Sequence, residues 1–317
     1  MDNNRPSIVE NSQNILNQVR KVIVGKDSVL IWTLATILAK GHVLLEDIPG
    51  VGKTTMAVAF SRAVGLHYNR VQFNPDVLPT DITGYSVLNQ ATGTMEYRPG
   101  AVLCNLFLAD ELNRATSRTQ SALLEAMEER QVTVDGVRHE LPQPFVVIAT
   151  QNPTGAAGTQ LLPDSQIDRF MICLTLGYPE PKDEIAMLLQ RQGKDPMETV
   201  VPVVSIEELM QMQQMVAETF VSDDIASYIV DLADATRRSD LLLRGVSPRA
   251  TLALAAMSKA VARLQGRDYV VPKDVQECFV TTFAHRVRIS AEAEGQGMNA
   301  QQALKGILSK IPAPQLR

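Results

Sequence analysis

"LLEDIPGVGKTTMAVAF", residues 44–60, sets two acids, two glycines and a lysine between two apolar runs. The segment "HVLLE" (42–46) is short, apolar and bounded by Gly41 and turn residues, as a buried parallel strand is. The segment "TTMAVAFSRAVG" (54–65) has apolar residues at 56, 57, 60 and 64 and stops at Gly65, which predicts a helix. The connection "DIPGVGK" fits the phosphate-loop pattern G-x-x-x-x-G-K-[ST] except that Asp47 stands at the first glycine. Gly50 and Gly52 let successive backbone N–H groups curl around a phosphate with no Cβ in the way. The helix start adds partial positive charge. Lys53 is spaced to reach the β- and γ-phosphates, and the Thr54 hydroxyl to reach Mg2+. Pro49, Val51 and Thr55 complete the candidate nucleotide-binding run. Asp47 lies at the strand exit, where Asp tolerates left-handed backbone better than most residues, so the turn is expected to survive.

The rest of a nucleotide site is visible downstream. "NLFLADELNRA" (105–115) is an apolar strand ending in Asp110 and Glu111. An acid at the end of such a strand is the expected second Mg2+ anchor, so Asp110 is assigned there with Thr54. Glu111 is placed to orient and deprotonate an attacking water. "FVVIATQNP" (145–153) is a further buried strand, and Asn152 at its end could hold that water or touch the γ-phosphate. No Asn-Lys-x-Asp guanine-reading motif occurs, which favours ATP over GTP.

The bulk properties fit such a site. A chain of 317 residues with 45% hydrophobic content accommodates one large and one smaller domain. A net charge of −5 and 5% aromatic residues argue against a nucleic-acid partner. The three cysteines are far apart, as buried residues of a reducing compartment are. The polar start "MDNNRPSIVENSQN" has no signal-peptide core, and the apolar stretch "VLIWTLATILA" (29–39) is too short to span a bilayer. A cytoplasmic protein with no membrane insertion is expected.

After "LTLGYPEPKDE" helical patterns replace strands. "GKDPMETVVPV" (193–203) reads as the link between a nucleotide domain, 1–195, and a helical domain, 196–317. "SIEELMQMQQMVAETF" (205–220) puts Leu209, Met212, Val216 and Phe220 on one face. "PKDVQECFVTTFAHRVRI" (272–289) reads as one amphipathic helix, and its His285 as structural. In "GVSPRATLALAAMSKAVARL" (245–264), Ser247 caps a helix and Pro248 opens it. Arg249 follows in the first turn, where a cation opposes the helix dipole, so something else should favour it; a γ-phosphate is the candidate. In "LLPDSQIDRFMIC" (161–173), Arg169 precedes a buried strand, at the surface and away from its own phosphate loop. A structural arginine there would pair with Asp164 or Asp168.

"DIPGVGKTT", "LADELNRA", "TQSALLEAMEERQVTVDG", "ATQNP", "DRF", "GYPEP" and "GVSPRA" occur in the order seen in MoxR-type AAA+ ATPases, and the resemblance covers nearly the whole chain. It implies an α/β P-loop NTPase domain of five mainly parallel strands, near 42–46, 68–73, 105–110, 145–151 and 170–176, followed by an all-α lid. It implies that Ile23 and Val24 pack over the adenine and that ATP lies between the domains at a subunit boundary. Segments 81–101 and 131–141 would be hairpins facing a central pore; the second is also a hairpin by its own Asp135-Gly136 turn. Arg249 corresponds to the family's sensor arginine. Arg169 corresponds to the arginine that reaches the next subunit's site, with Arg114 and Arg118 as the alternatives. The family likeness further implies a homo-oligomeric, hexameric ring that remodels a protein client, with a von Willebrand A-domain protein as partner. Two other readings share the core: a nucleic-acid motor or loader, and a nucleotide-gated scaffold that does not hydrolyse. Glu111 and Arg169 argue against the scaffold.

Overall fold

The structure is a computed structural model and describes residues 7–48, 50–152, 162–190, 192–193 and 195–315. The chain opens with helices α1 (Ile8–Arg20) and α2 (Asp27–Leu38). The α/β unit then runs through β1 (Val43–Glu46), α3 (Lys53–Val64), β2 (Tyr68–Gln72), the short α4 (Pro79–Thr83), β3 (Gly84–Asn89), β4 (Thr94–Pro99), β5 (Leu106–Asp110) and α5 (Ser117–Glu129). It continues with β6 (Gln131–Val134), β7 (Val137–Glu140), β8 (Val146–Gln151), α6 (Asp164–Ile167), β9 (Ile172–Leu174) and α7 (Pro181–Gln190).

Among the described residues, one sheet holds the five expected strands in the order β2-β5-β8-β1-β9, every pairing parallel. Every residue of β5 and β8 is buried, which is why both segments read as unbroken apolar runs. The register sets Leu44 beside Ala149 and Leu108 beside Ile148. The sheet order thus inserts β8 between the phosphate-loop strand and the acid strand. All three strands end on one edge, where a parallel sheet offers its crevice.

Two antiparallel hairpins leave this unit, β3–β4 and β6–β7. The second turns at Asp135 (φ 51°) and Gly136 (φ 77°), both left-handed as a type I′ turn requires. Tyr97 on β4 stacks on His139 of β7, with ring centroids 3.6 Å apart and planes 14° from parallel, so the hairpins touch.

The second half comprises α8 (Ile206–Ala217), α9 (Asp223–Arg237), β10 (Leu242–Arg244), α10 (Pro248–Leu264), α11 (Pro272–Phe283), β11 (Arg288–Ile289), α12 (Ala291–Gly295) and α13 (Ala300–Leu308). Serine or asparagine side chains cap α8, α9, α10, α12 and α13, satisfying N–H groups that have no partner within the helix. Leu34 and Leu38 of α2, Leu254 and Met257 of α10, and Phe279 and Phe283 of α11 belong to one buried cluster with Val43 and Leu45 of the sheet. No described helix is long and apolar enough to cross a membrane.

One expectation is corrected. The segment 272–289 is not a single helix: α11 ends at Phe283 and Arg288–Ile289 pairs antiparallel with β10, so the helical lid carries a small strand pair. The reason is tertiary. Beyond Phe283, His285, Arg286 and Arg288 turn to bond acceptors in the segment 164–170 rather than continue the helical ladder.

Candidate nucleotide site

The phosphate loop is shaped by backbone that only glycine adopts cheaply. Gly50 has φ 88° and Gly52, at the start of α3, has φ 96°. Pro49 lies outside the described residues. Asp47 takes its place for a reason other than the one anticipated, since it is not among the residues with left-handed backbone. Its side chain is buried, and the carboxylate accepts N–H groups from Ile48 (3.0 Å), Leu176 (2.5 Å) and Gly177 (2.8 Å). A glycine could not make this clamp between the loop and the segment after β9. Lys53 donates to the carbonyls of Asp47 (2.8 Å) and Ile48 (3.2 Å). Burial lowers the pKa of its ammonium, and the nearby Asp47, Asp110 and Glu111 oppose that shift.

A cleft of about 340 Å³ opens beside the loop, and Gly50, Gly52, Lys53, Thr54 and Thr55 line one wall. Asp110, Glu111 and Asn152 line the other, so the ends of β1, β5 and β8 meet as the sheet order requires. Thr150 organises the acids: its Oγ1 donates to Asp110 Oδ1 (2.7 Å) and accepts the Glu111 N–H (2.8 Å). Glu111 has φ 57°, a left-handed conformation uncommon for a residue with a side chain. Strain of this kind clusters at functional sites. The Glu111 carboxylate rests on Arg114 Nη1 at 2.7 Å. The carbonyl of Asn152 accepts from Asn113 Nδ2 at 3.2 Å.

Sequence reasoning missed Arg70 and Gln72, which also line the cleft. Arg70 Nη2 lies 2.7 Å from Asp110 Oδ2. The available signal was the spacing of two in β2, which puts both side chains on one face, with Gln72 in register beside Asp110. The oxygen donors Thr54 and Asp110 suit Mg2+, which keeps several waters and leans on one or two carboxylates plus substrate phosphates. Among the described residues no group of three His, Cys, Asp or Glu side chains forms a dedicated metal cage.

A second, more apolar cavity of about 310 Å³ adjoins the loop. Ile23 and Val24 line it, with Val22, Val51, Tyr178 and Pro179. The residues lining both cavities end at Met187, so neither wall comes from the helical half.

Arg249 is likewise not among the residues lining the cleft. It pairs with Glu128 on α5, and the other oxygen of that carboxylate lies 3.3 Å from Arg169 Nε. The structure therefore brings together Arg169, expected to reach the next subunit's site, and Arg249, expected near a γ-phosphate. Neither acid weighed as a partner for Arg169 holds it. Asp164 is taken by Arg244 (2.9 Å) and Arg288 (2.8 Å), which lower its pKa, and Asp168 by Arg286 and Ser247. His285 donates from Nε2 to the Phe170 carbonyl at 3.0 Å, and burial pushes its pKa down to about 3, so it is neutral and structural.

Comparison with known proteins agrees with this geometry. The model of the ATPase family associated with various cellular activities (AAA) matches residues 42–172, and an AAA lid domain model matches 234–307. The chain is 44% identical over 299 residues to YeaC of Bacillus subtilis, described as uncharacterized, covering 94% of this chain and 93% of that one. A crystal structure of a candidate ATPase from Cytophaga hutchinsonii superposes with a TM-score of 0.89 at 33% identity, covering 97% and 96% of the two chains. The chaperone MoxR1 of Mycobacterium tuberculosis is 36% identical over 317 residues, 97% of this chain and 84% of that one. Sharing that much with a MoxR protein along nearly its whole length, the chain belongs to the MoxR-type AAA+ ATPases.

Proposed function

We propose that this chain hydrolyses MgATP at a site completed by a neighbouring copy, and uses the energy to remodel a protein client. The observation that carries the reading is a separation. The phosphate loop and acid pair share one cleft, while Arg169 and Arg249 sit together on Glu128 and outside it. In this reading the loop N–H groups and Lys53 hold the β- and γ-phosphates, and Ile23 and Val24 cover the base. Thr54 and Asp110 would hold Mg2+, which when bound screens phosphate charge. Asp110 must first exchange its Arg70 partner. Glu111 orients and deprotonates the water, Asn152 fixes that water or the γ-phosphate, and Arg169 enters from the next subunit. Arg249, expected near a γ-phosphate, is assigned to the same neighbouring site. A planar, permanently charged guanidinium stabilises the charge that builds on the phosphoryl oxygens. The rate effect of such a finger is roughly 10³–10⁵.

A hexameric ring, a protein client with a von Willebrand A-domain partner, a domain division at 195/196 and a cytoplasmic location complete the proposal. They rest on family likeness and sequence pattern. The test is a mixing experiment. Arg169→Ala and Lys53→Ala should each hydrolyse ATP very slowly. Mixed in exchanging oligomers, they should regain activity where an intact loop meets an intact finger. Confirmed mixed assembly with no recovery would refute the shared site.

A further inference from the structure

We propose that Arg286 is a positioning residue for hydrolysis: it locks the Asp168–Phe170 turn to the start of α10, so that Arg169 and Arg249 are presented to the neighbour as one unit. This rests on the reading that these arginines act across the subunit boundary.

Arg286 lies between α11 and β11, and its side chain is only 2% exposed. Its Nη2 donates to the carbonyls of Asp168 (3.1 Å) and Phe170 (2.7 Å), the residues on either side of Arg169. Its Nε lies 3.2 Å from Asp168 Oδ1. The second Asp168 oxygen accepts the Ser247 hydroxyl at 2.8 Å. That same hydroxyl oxygen accepts the Ala250 N–H (3.2 Å) and so caps α10, two residues before Arg249. One continuous path therefore runs from the backbone of Arg169 through Arg286, Asp168 and Ser247 to the helix turn that carries Arg249. Glu128 closes the loop on the solvent side by pairing with both guanidinium heads.

The chemistry explains why arginine occupies this position. A buried cation is costly unless its charge is paired; Asp168 supplies the pair, while Nη2 alone hydrogen-bonds and, among the described residues, Nε and Nη1 have no hydrogen-bond partner. Burial and the nearby Arg249 push the Arg286 pKa down to about 10, with Asp168 opposing, so it still carries its charge at neutral pH. Holding two carbonyls and a carboxylate together needs a planar fork; a lysine offers a point charge on a flexible stem. Transition-state stabilisation by a guanidinium is sensitive to placement, and small displacements of a positioned group cost rate. The fixed turn also ties the lid to the arginines: lid motion carries Arg169 and Arg249 with it.

The test uses Arg286→Lys in the full chain. Its ATP affinity should stay within about twofold of wild type while kcat falls by about tenfold or more, because the defect is in the transition state of the neighbour's site. Mixed with Lys53→Ala, whose arginines are intact, it should regain activity. Mixed with Arg169→Ala it should not, since no intact finger is then present. A structural defect in its own cleft gives the opposite pattern: rescue by Arg169→Ala and none by Lys53→Ala. That pattern, or a kcat within about twofold of wild type, overturns the proposal. Should Arg286→Lys fail to fold, Asp168→Asn keeps the shape of the link without its charge and is judged by the same two mixtures. The pair Lys53→Ala with Arg169→Ala is the control. If that pair fails, the shared-site reading falls and the proposal with it; if it succeeds while the Arg286 pattern fails, only the proposal falls.

Discussion

Replacing Asp47 by glycine restores the consensus phosphate-loop pattern, and the structure predicts that this weakens the protein. The buried carboxylate accepts three N–H groups, two of them in the 176–177 segment. Asp47→Gly leaves the donors of Leu176 and Gly177 without acceptors. Each buried unsatisfied donor costs about 1–3 kcal/mol. Leu176 is fully enclosed, whereas water can reach half-buried Gly177, so the sum is about 2–4 kcal/mol. A new glycine whose native backbone is not left-handed adds about 0.5–1 kcal/mol of backbone entropy. The melting temperature should fall by roughly 4–8 °C for a chain of this length. Tyr178 and Pro179, which wall the apolar cavity, follow the loosened segment, so ATP affinity should drop as well. Urea unfolding with a fluorescent ATP analogue titration measures both. A glycine variant with an unchanged urea midpoint and equal or tighter nucleotide binding would refute the clamp.

Lys53→Ala should abolish ATP binding, whereas Glu111→Gln should bind normally and not turn over, because only the carboxylate can accept the water's proton; normal phosphate release by Glu111→Gln ends the general-base assignment. Arg249→Ala should bind ATP normally, hydrolyse slowly and recover when mixed with Lys53→Ala, while recovery with Arg169→Ala instead would return Arg249 to its own chain's cleft. Acid should destabilise the fold early through two histidines. His42 accepts the Val147 N–H at Nδ1 and faces the Met127 carbonyl with Nε2, so it needs the neutral ring, and burial pushes its pKa down to about 4. His285 is pushed down to about 3. Both values lie below that of an unfolded histidine, so the unfolded chain binds more protons: stability is complete above pH ~6.5 and is lost as pH falls toward ~3, by about 3 kcal/mol for His42 and about 5 kcal/mol for His285. Equal urea midpoints at pH 7.5 and pH 5 would contradict this.

The α/β half was legible because its signals are local. Buried parallel strands read as short apolar runs, and those predicted at 42–46, 105–110 and 145–151 match β1, β5 and β8 to within one residue. The strand ends carry the chemistry, so finding the strands located Lys53, Asp110, Glu111 and Asn152 on one edge. Asp135-Gly136 specified its turn through backbone conformation alone. Asp47 shows the limit. A motif records which backbone a position needs, but the carboxylate's partners lie 129 and 130 residues away. The same holds for Arg70, whose role depends on the pairing of β2 with β5.

The arginines were legible as residues and not as a pair. Position within "DRF" and "GVSPRA" marked Arg169 and Arg249 separately, but nothing local shows that Glu128 holds both. What decides the matter is charge pairing between distant segments. Asp164 and Asp168 bind Arg244, Arg286, Arg288 and Ser247, and these contacts seat the lid on the turn that precedes β9 rather than over the phosphate loop. The same contacts end α11 early, so the helix that the periodicity extended to 289 stops at Phe283. Helix periodicity reports only which face is apolar. His285, Arg286 and Arg288 fit a helical pattern well enough, yet each finds a stronger partner outside it. The misplaced helix end therefore has a tertiary cause: contacts of His285, Arg286 and Arg288 with residues more than a hundred positions away outweighed local propensity.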